Sequence, residues 1–575
     1  MKLLSIRKRW LTASSSTVAV AAIGAVAAGA FAAPAVATRA HAAAATPLVM
    51  ESSQGVSLSA SNNMNPYPQG DAATQIGATS LIYEDLMQFD IAKPTQKPYP
   101  FLATSYAWGA GGKSITFQIR QGVKWSNGAA FTAADVAGTY NMLVKYADTN
   151  TSPVGGIADL TGATVSGDAV TLAFSAPAYT ELQQICGVYI VPSSVYNYNG
   201  DPATDDITNP IGTGPYTYDA SASNASGIVL NANPNYWGGP FGGTGAPAVA
   251  QVQFPNIDTA ADALTALEGN TLDWAGNSLA GLSAFTRGSG HAAWFAAVNT
   301  VTLYPDLNAF PFNQLAVRKA FSLAIDRKDI SVTGEYGTEP VATNASGLTL
   351  PAFAADEVSA VKGSKYTLSS NANPKAADAV LKAAGATLKG GWYYLKGKKI
   401  VISISDPTTY TDYAEDATLM AGELKKAHID ASFNGITADA WNADVADGKF
   451  GSAIVHWGDS VVSPFGVYNY WLNGSLDNGT SNSGDYEGLK NSTMDKDLSK
   501  LSSADTTAAE LKGLAPLEEY VAQQLPVIPL VYGASFDEYN SGAFTGWPSK
   551  SNQYESGSPN TPTNEVIVLH LKPVS

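Results

Sequence analysis

The chain has 575 residues, 45% of them hydrophobic and 14% charged, with a net charge of −16 at neutral pH and one cysteine. That length excludes a single hydrophobic core and predicts roughly two to four domains or lobes. The acidic balance excludes electrostatic binding of nucleic acid or anionic lipid, and the lone Cys186 excludes an internal disulfide.

The first residues read as an export signal. Lys2, Arg7, Lys8 and Arg9 form a basic start, Val18 to Ala33 is an apolar run, and Ala40-His41-Ala42 is a small-x-small cleavage site. A leader over residues 1–42 is expected. An uncleaved anchor is the alternative, although the apolar run is shorter than the ~20 residues a membrane span needs. Removing a leader with five basic and no acidic residues takes the net charge from −16 to −21. Cys186 lies far from the leader and cannot carry a lipid there, so an exported protein that is not a lipoprotein is predicted. With Leu182, Ile185 and Val188 around it, Cys186 reads as a buried structural thiol.

After the leader, Thr46 to Ser57 is predicted to be extended, and Asn62 to Pro68 is a loop with strong turn chemistry. Residues 72–89 have helical spacing through Ile76, Leu81 and Leu86. Ile115 to Arg120 alternates apolar and polar, which predicts a half-buried strand. Thr132-Ala133-Ala134-Asp135 reads as a capping box opening a helix through Val136, Tyr140 and Leu143. Ser166-Gly167-Asp168 between two alternating runs predicts a hairpin. Asn209-Pro210-Ile211-Gly212-Thr213-Gly214-Pro215-Tyr216 holds two prolines and two glycines but no nucleophile or metal ligand, so it reads as a rigid, tightly turned loop entering a strand. The Gly-rich run Gly238 to Gly243 reads as a surface loop.

The second half alternates helix and strand. Asn313 is expected to cap a helix whose apolar face is Val317, Ala320, Phe321, Ala324 and Ile325. Helices over 375–384 and 412–427, and strands at Ile400–Ile404 and Ala453–Val455, predict a parallel α/β lobe. Leu525 to Val531 is an extended return crossing, and Glu565 to Leu571 is expected to be a final strand. The reading is an α/β protein of two unequal lobes. Residues 46–303 plus 530–575 form the first, with an inserted subdomain over about 70–200, and residues 304–529 form the second. A hinge is expected at Leu303-Tyr304-Pro305 and near Pro529.

Several of these segments carry one resemblance. Pro210-Ile211-Gly212-Thr213-Gly214-Pro215-Tyr216 resembles the P-I/V-G-T-G-P-Y hallmark of extracytoplasmic solute-binding proteins of the peptide/nickel type, which feed ABC importers. Phe117 to Gly128, followed by Phe131-Thr132-Ala133-x-Asp135-Val136, resembles the F-x-L-R-x-G-V-K-F/W-S-D-G…F-T-A-x-D-V signature of that family, with Asn127 where an acid is usual. Asn233-x-Asn235-Tyr236-Trp237, Val317-Arg318-x-Ala320 through Ala324-Ile325-Asp326-Arg327, and Pro526-x-Ile528-Pro529-Leu530 are similar to its later segments. The resemblance implies a two-lobed fold of the periplasmic-binding-protein type II kind, closing on its cargo, with an ABC permease as partner. It implies a monomer and no catalysis. Arg318, Asp326 and Arg327 read as helix-end pins and not as cargo contacts.

A cleft between lobes draws on loops from both sides. From the first lobe the candidates are Asn63, Met64, Asn65 and Tyr67, in a loop too polar and proline-rich for core, and Trp274, which stacks on cargo or fills core. From the second they are Trp441, Trp457, Asp459, Tyr470 and Asn308. His456-Trp457-Gly458-Asp459 follows a buried strand, and strand carboxyl ends are where α/β lobes bind ligands. This stretch resembles the family segment whose acid pairs with a peptide's α-ammonium. Asp459 stands one residue closer to the Trp than usual, and Ser463-Pro464 replaces the second acid, which puts amine recognition in question. Aromatic side chains with sparse charge suit sugar rings as well as peptide backbones. Oligopeptide or dipeptide is the first expectation and oligosaccharide the second.

No cofactor and no metal are expected. The four histidines beyond the leader are far apart in sequence, and no zinc-protease, nucleophile-elbow or paired-cysteine motif occurs. Gly112-Lys113-Ser114 imitates a phosphate-binding loop, but Ala107 replaces its first glycine and a strand follows where a helix is required. A secreted hydrolase is the rival from a different class.

Overall fold

The computed structural model describes residues 46–575 apart from 52–55, 57, 69–70, 147–156, 158, 351, 364, 459–460, 478, 480–481 and 575. The predicted leader and Asp459 lie outside the described residues. For Trp457 only the backbone is described.

Three sheets carry the architecture. In the first, Ala103–Trp108, Ser114–Ile119, Ala169–Phe174 and Leu160–Ser166 lie side by side in that order, all antiparallel. Alternation predicts this correctly: Ile115, Phe117 and Ile119 are buried against the helix side. Gly167, at φ +61°, makes the hairpin turn. The helix Ala133–Lys145 opens on the predicted capping box of Thr132 and Asp135. The second sheet runs Leu48–Val49, Gln251–Pro255, Gly227–Ala232 and Tyr216–Tyr218.

The third sheet has six strands, in the order Trp274–Ala275, Ile528–Asn540, His291–Pro305, Ala453–Trp457, Val401–Pro407 and Asp430–Ile436. Its middle is antiparallel, with His291–Pro305 pairing both the long strand Ile528–Asn540 and the short Ala453–Trp457. Only the last three strands are parallel. The 15-residue and 13-residue strands cross from one packing region to the other. One large apolar cluster is built from residues 48–274 and 539–571, and two more from 301–531 and 304–527.

Three expectations fail. Residues 72–89 are not one helix: Ala72–Gln75 stops at Gly77, which sits at φ +76°. A one-turn 3₁₀ segment, Thr79–Leu81, and the short strand Met87–Gln88 follow. Glu565 to Leu571 is not a strand. Asn564–His570 is a helix enclosed on most sides, with Asn564 donating to the carbonyls of Gly77 (2.9 Å) and Pro559 (2.7 Å). Full enclosure here overrides the strand preference of Val566, Ile567 and Val568. The helix Leu315–Ala324 begins one residue later than expected, with Gln314 and not Asn313 at its cap.

The glycines of the Pro210 to Tyr216 segment answer a close backbone approach. A Cβ on Gly212 would lie 1.8 Å from the Ile82 carbonyl oxygen, and one on Gly214 2.7 Å from both the Leu81 and Ile82 oxygens. Gly214 N–H donates to that Ile82 oxygen at 2.9 Å, and Ser126 N–H donates to Gly212 O at 2.9 Å. The segment is therefore a structural clasp. Arg327 is likewise structural, but it holds carbonyls, not carboxylates. Fully buried, it donates to Pro529 O (2.8 Å), Ser322 O (2.9 Å) and Ser322 Oγ (2.9 Å). Burial without an anion pushes its guanidinium down to about 9.

Candidate functional site

The carboxyl ends of two parallel strands, Val401–Pro407 and Ala453–Trp457, form an aromatic wall. Asp406 ends the first strand and is fully buried, with Oδ2 accepting the Val455 N–H at 3.1 Å. Its other oxygen faces the indole of Trp441, and burial pushes its carboxyl well above the usual range. Trp441 stands on the helix Ala438–Ala446 that follows the neighbouring strand. Its ring lies 5.0 Å from His456 at an 11° interplanar angle, a parallel stack, and meets Tyr410 edge-on at 6.0 Å. His456 contacts Tyr304 edge-on at 5.9 Å and Tyr486 at 5.7 Å. Tyr486 meets Tyr470 edge-on at 5.6 Å, with their hydroxyls 3.3 Å apart. Behind them, Trp471 Nε1 donates to Tyr304 Oη at 2.9 Å, so the wall rests on a fixed second layer.

This wall lies where the two packing regions meet. Past the strand, Gly458 N–H donates to Thr300 O at 2.9 Å. Four residues later, Val462 packs against the first region's core, and its N–H reaches Gln183 Oε1. From the other side, Ser278 faces Asp412, at the start of the helix Thr411–Lys426.

The predicted residues divide. Trp441 and Tyr470 join one aromatic cluster through His456 and Tyr486, and the backbone of Trp457 lies in the same strand as His456. The loop at 63–67 is placed elsewhere, inside the first core. Asn65 is fully buried, donating to Pro202 O (2.6 Å) and Asp205 O (2.9 Å). Asn63 donates to Asp71 Oδ2 at 2.6 Å and accepts from Ile207 N–H at 2.8 Å. Met64 is core, and Tyr67 donates to Tyr189 O at 2.9 Å. Polar composition pointed to an open loop. These side chains instead satisfy backbone groups that the turn would leave buried and unpaired. Trp274 is fully buried against Trp547, at 5.5 Å. Asn308 is exposed and caps a turn by donating to Gly488 O at 3.0 Å.

Sequence reasoning missed Asp406, Tyr410 and Tyr486. The strand-end rule that selected the His456 stretch also points to Asp406, which closes the alternating run from Val401 and is followed by a proline. Tyr304 and Tyr486 carried no local signal: the sheet brings Tyr304 to His456, and a turn beyond the helix Pro464–Leu472 brings Tyr486. Cys186 is buried, and its surroundings push the thiol well up, as an inert structural cysteine requires.

Among the described residues, no group of three or more His, Cys, Asp or Glu side chains is arranged to hold a metal ion. No helix there is long and apolar enough to cross a membrane. Trp441 and His456 are buried, 4% and 5% exposed, so the ring surface open to a solute is that of the half-buried Tyr410, Tyr470 and Tyr486, which can stack and hydrogen-bond.

The sequence profile described as "Bacterial extracellular solute-binding proteins, family 5 Middle" matches residues 97–479. A nickel-binding periplasmic protein of Escherichia coli (strain K12) is 27% identical over 400 residues, covering 67% of this chain and 71% of the relative. A probable peptide-binding protein, YejA, of Agrobacterium fabrum is 24% identical over 531 residues, covering 83% and 84%. The crystal structure of a periplasmic oligopeptide-binding component of an ABC transporter from Thermotoga maritima superposes with a TM-score of 0.83 at 22% identity, covering 93% of this chain and 100% of that one. Its mannohexaose-bound form superposes with a TM-score of 0.78 at 23% identity, covering 92% and 98%. The fold is thus the two-lobed, mixed α/β type II form of periplasmic binding proteins. The match over residues 97–479 spans well over half of the sequence, and the chain belongs to the bacterial extracellular solute-binding proteins of family 5.

Proposed function

We propose that this protein captures oligopeptides or dipeptides outside the cytoplasm and delivers them, chemically unchanged, to an ABC permease. The supporting observation is the aromatic wall of Tyr410, Trp441 and His456 at the strand ends where the two lobes meet. Such a wall grips flat amide groups and apolar side chains without demanding one charge pattern. In this reading residues 1–42 are an export leader. The lobes divide at 303/304 and 529/530, within the two long strands, and hinge there. Asp459 is the proposed partner of the peptide's amine, and Trp457 of the peptide's neighbouring atoms. The E. coli and A. fabrum relatives are named for nickel and for peptide.

Oligosaccharide is the second reading. The half-buried rings of Tyr410, Tyr470 and Tyr486 beside the Trp441–His456 stack are of the kind sugar rings stack on, and the Thermotoga neighbour is described with mannohexaose bound. Native mass spectrometry of protein purified from its source weighs any retained solute. A mass series spaced by amino-acid residues supports peptide, and one spaced by hexose supports the sugar. Turnover of peptides or glycans at enzyme-like rates by the purified protein would refute capture without chemistry.

A further inference from the structure

Adjacent residues after the Ala453–Trp457 strand belong to different lobes. Val461 is buried in the second lobe's core. Val462 instead packs against the core of the first. At the same place Val462 N–H donates to Gln183 Oε1 at 3.1 Å. Gln183 lies on the short helix Leu182–Cys186 of the first lobe and is itself 5% exposed. Ser463 then caps the helix Pro464–Leu472 by accepting from Phe465 N–H at 3.2 Å, so the segment is fixed at its far end as well. Gln183 and Val462 both line a groove of about 360 Å³ between the lobes, with Phe89 and Tyr179 on one bank and Ser463 and Glu510 on the other.

An N–H···O bond from a backbone donor to a buried side-chain amide is directional, and leaving such an acceptor unpaired in a closed interface is costly. The bond also acts on the right piece of chain. Val462 lies five residues past Trp457, the last residue of the strand that carries His456, so the bond acts close in sequence to the aromatic wall. Building on the capture reading above, we infer that Gln183 is a positioning residue for lobe closure, its side-chain carbonyl latching the loop at Val462 so that the lobes stay shut over the cargo. The latch contacts no cargo itself. It sets how long the closed state lasts, and therefore the release rate for every solute.

The test is residue-resolved hydrogen exchange at the Val462 amide in ligand-free protein, with Gln183→Met and Gln183→Glu. Methionine keeps the buried volume without an acceptor of comparable strength, while glutamate keeps the acceptor oxygen. Slow exchange is expected in the wild type, exchange faster by about five-fold or more in Gln183→Met, and near wild-type exchange in Gln183→Glu. Spin labels on Thr164→Cys and Lys425→Cys, which are exposed positions in opposite lobes, then report the inter-lobe distance; Cys186 is buried and stays unlabelled. Gln183→Met should shift the distribution toward longer distances. Fast exchange at Val462 in the wild type would overturn the latch and needs no variant. Faster exchange with unchanged distances would reduce the contact to a local one and overturn the closure role. Failure of the capture reading would show separately, as protein that retains no solute and binds none of a pool of tri- to pentapeptides; the exchange measurement needs no cargo.

Discussion

Raising the pH should destabilise this protein well before alkaline conditions are reached. Glu335, Glu339 and Asp416 are buried in one group, with Asp412 half-buried at its edge. The groups that face them are Tyr413 on the same helix as Asp412 and Asp416, the Ala534 N–H of the long strand, which donates to Glu339 at 2.8 Å, and the Ser278 hydroxyl. No lysine, arginine or histidine is among them. Burial first, and then neighbouring acids, raise Glu335, Glu339 and Asp416, Glu335 to about 8 from an ordinary 4.5, and burial raises Asp412. The folded state therefore binds protons that the unfolded state has already lost. Stability from Glu335 is fully present below pH ~4.5 and is lost as the pH rises through about 8, a change of roughly 5 kcal/mol. Five of the six described ion pairs have exposed lysines and the sixth, Lys399–Asp430, is half-exposed; such pairs are worth at most ~1 kcal/mol each, so losing them in acid offsets little. Calorimetry between pH 5 and pH 9 should show the transition that includes this group falling by on the order of 10 °C. Glu335→Gln, which cannot ionise, should flatten that fall while changing little at pH 5. EDTA should leave both curves where they are. A melting temperature that rises from pH 5 to pH 8, or a Glu335→Gln curve as steep as the wild type, would show that shared protons do not hold this group together. A chelator effect would assign that role to a cation.

Other consequences can be checked individually. Gly212→Ala places a methyl group on the Ile82 carbonyl, which is backbone and cannot yield cheaply; a loss of about 3 kcal/mol or more in denaturant unfolding is expected, and a loss under ~1 kcal/mol would contradict the clasp. Tyr410→Ala removes the half-exposed edge of the aromatic wall and should weaken a bound peptide about ten-fold in calorimetric titration with little change in melting temperature. Equal loss of affinity and stability would mark Tyr410 as structural. Asp459→Ala should cost an amine-bearing peptide far more affinity than a neutral oligosaccharide, and unchanged binding of both would remove Asp459 from the site.

The parts of the fold legible in sequence were those where local chemistry and tertiary demand agree. The strand Ser114–Ile119 alternates because one face is buried, and the capping box at Thr132 forms because its groups are neighbours in the chain. Legibility failed where the answer was set by distant partners. Nothing near Asn564 announces that it will bind the carbonyls of Gly77 and Pro559, yet that enclosure turns a β-branched run into a helix. The same cause explains the loop at 63–67. Asn63 and Asn65 are polar because they hold backbone groups around residues 202–207, contacts made across more than 130 residues of chain.

The wall itself was half legible for a related reason. Trp441 and Trp457 draw attention as large aromatic groups near a strand end, but His456 links Trp441 to Tyr304 and Tyr486 only because three parallel and antiparallel strands converge there. Asp406 is the instructive omission. A buried carboxyl at the end of a parallel strand, bonded to the Val455 N–H of the neighbouring strand, fixes the register of the two strand ends that carry the wall. An Asp406→Asn variant keeps the shape and one acceptor oxygen for the Val455 N–H, so it should largely hold the wall in place; Asp406→Ala leaves the Val455 N–H unpaired and should cost about 1–3 kcal/mol of stability. If the wall is what grips cargo, Asp406→Ala should also weaken binding although the residue need touch no ligand, whereas intact affinity in a destabilised Asp406→Ala protein would move the binding surface away from these strand ends.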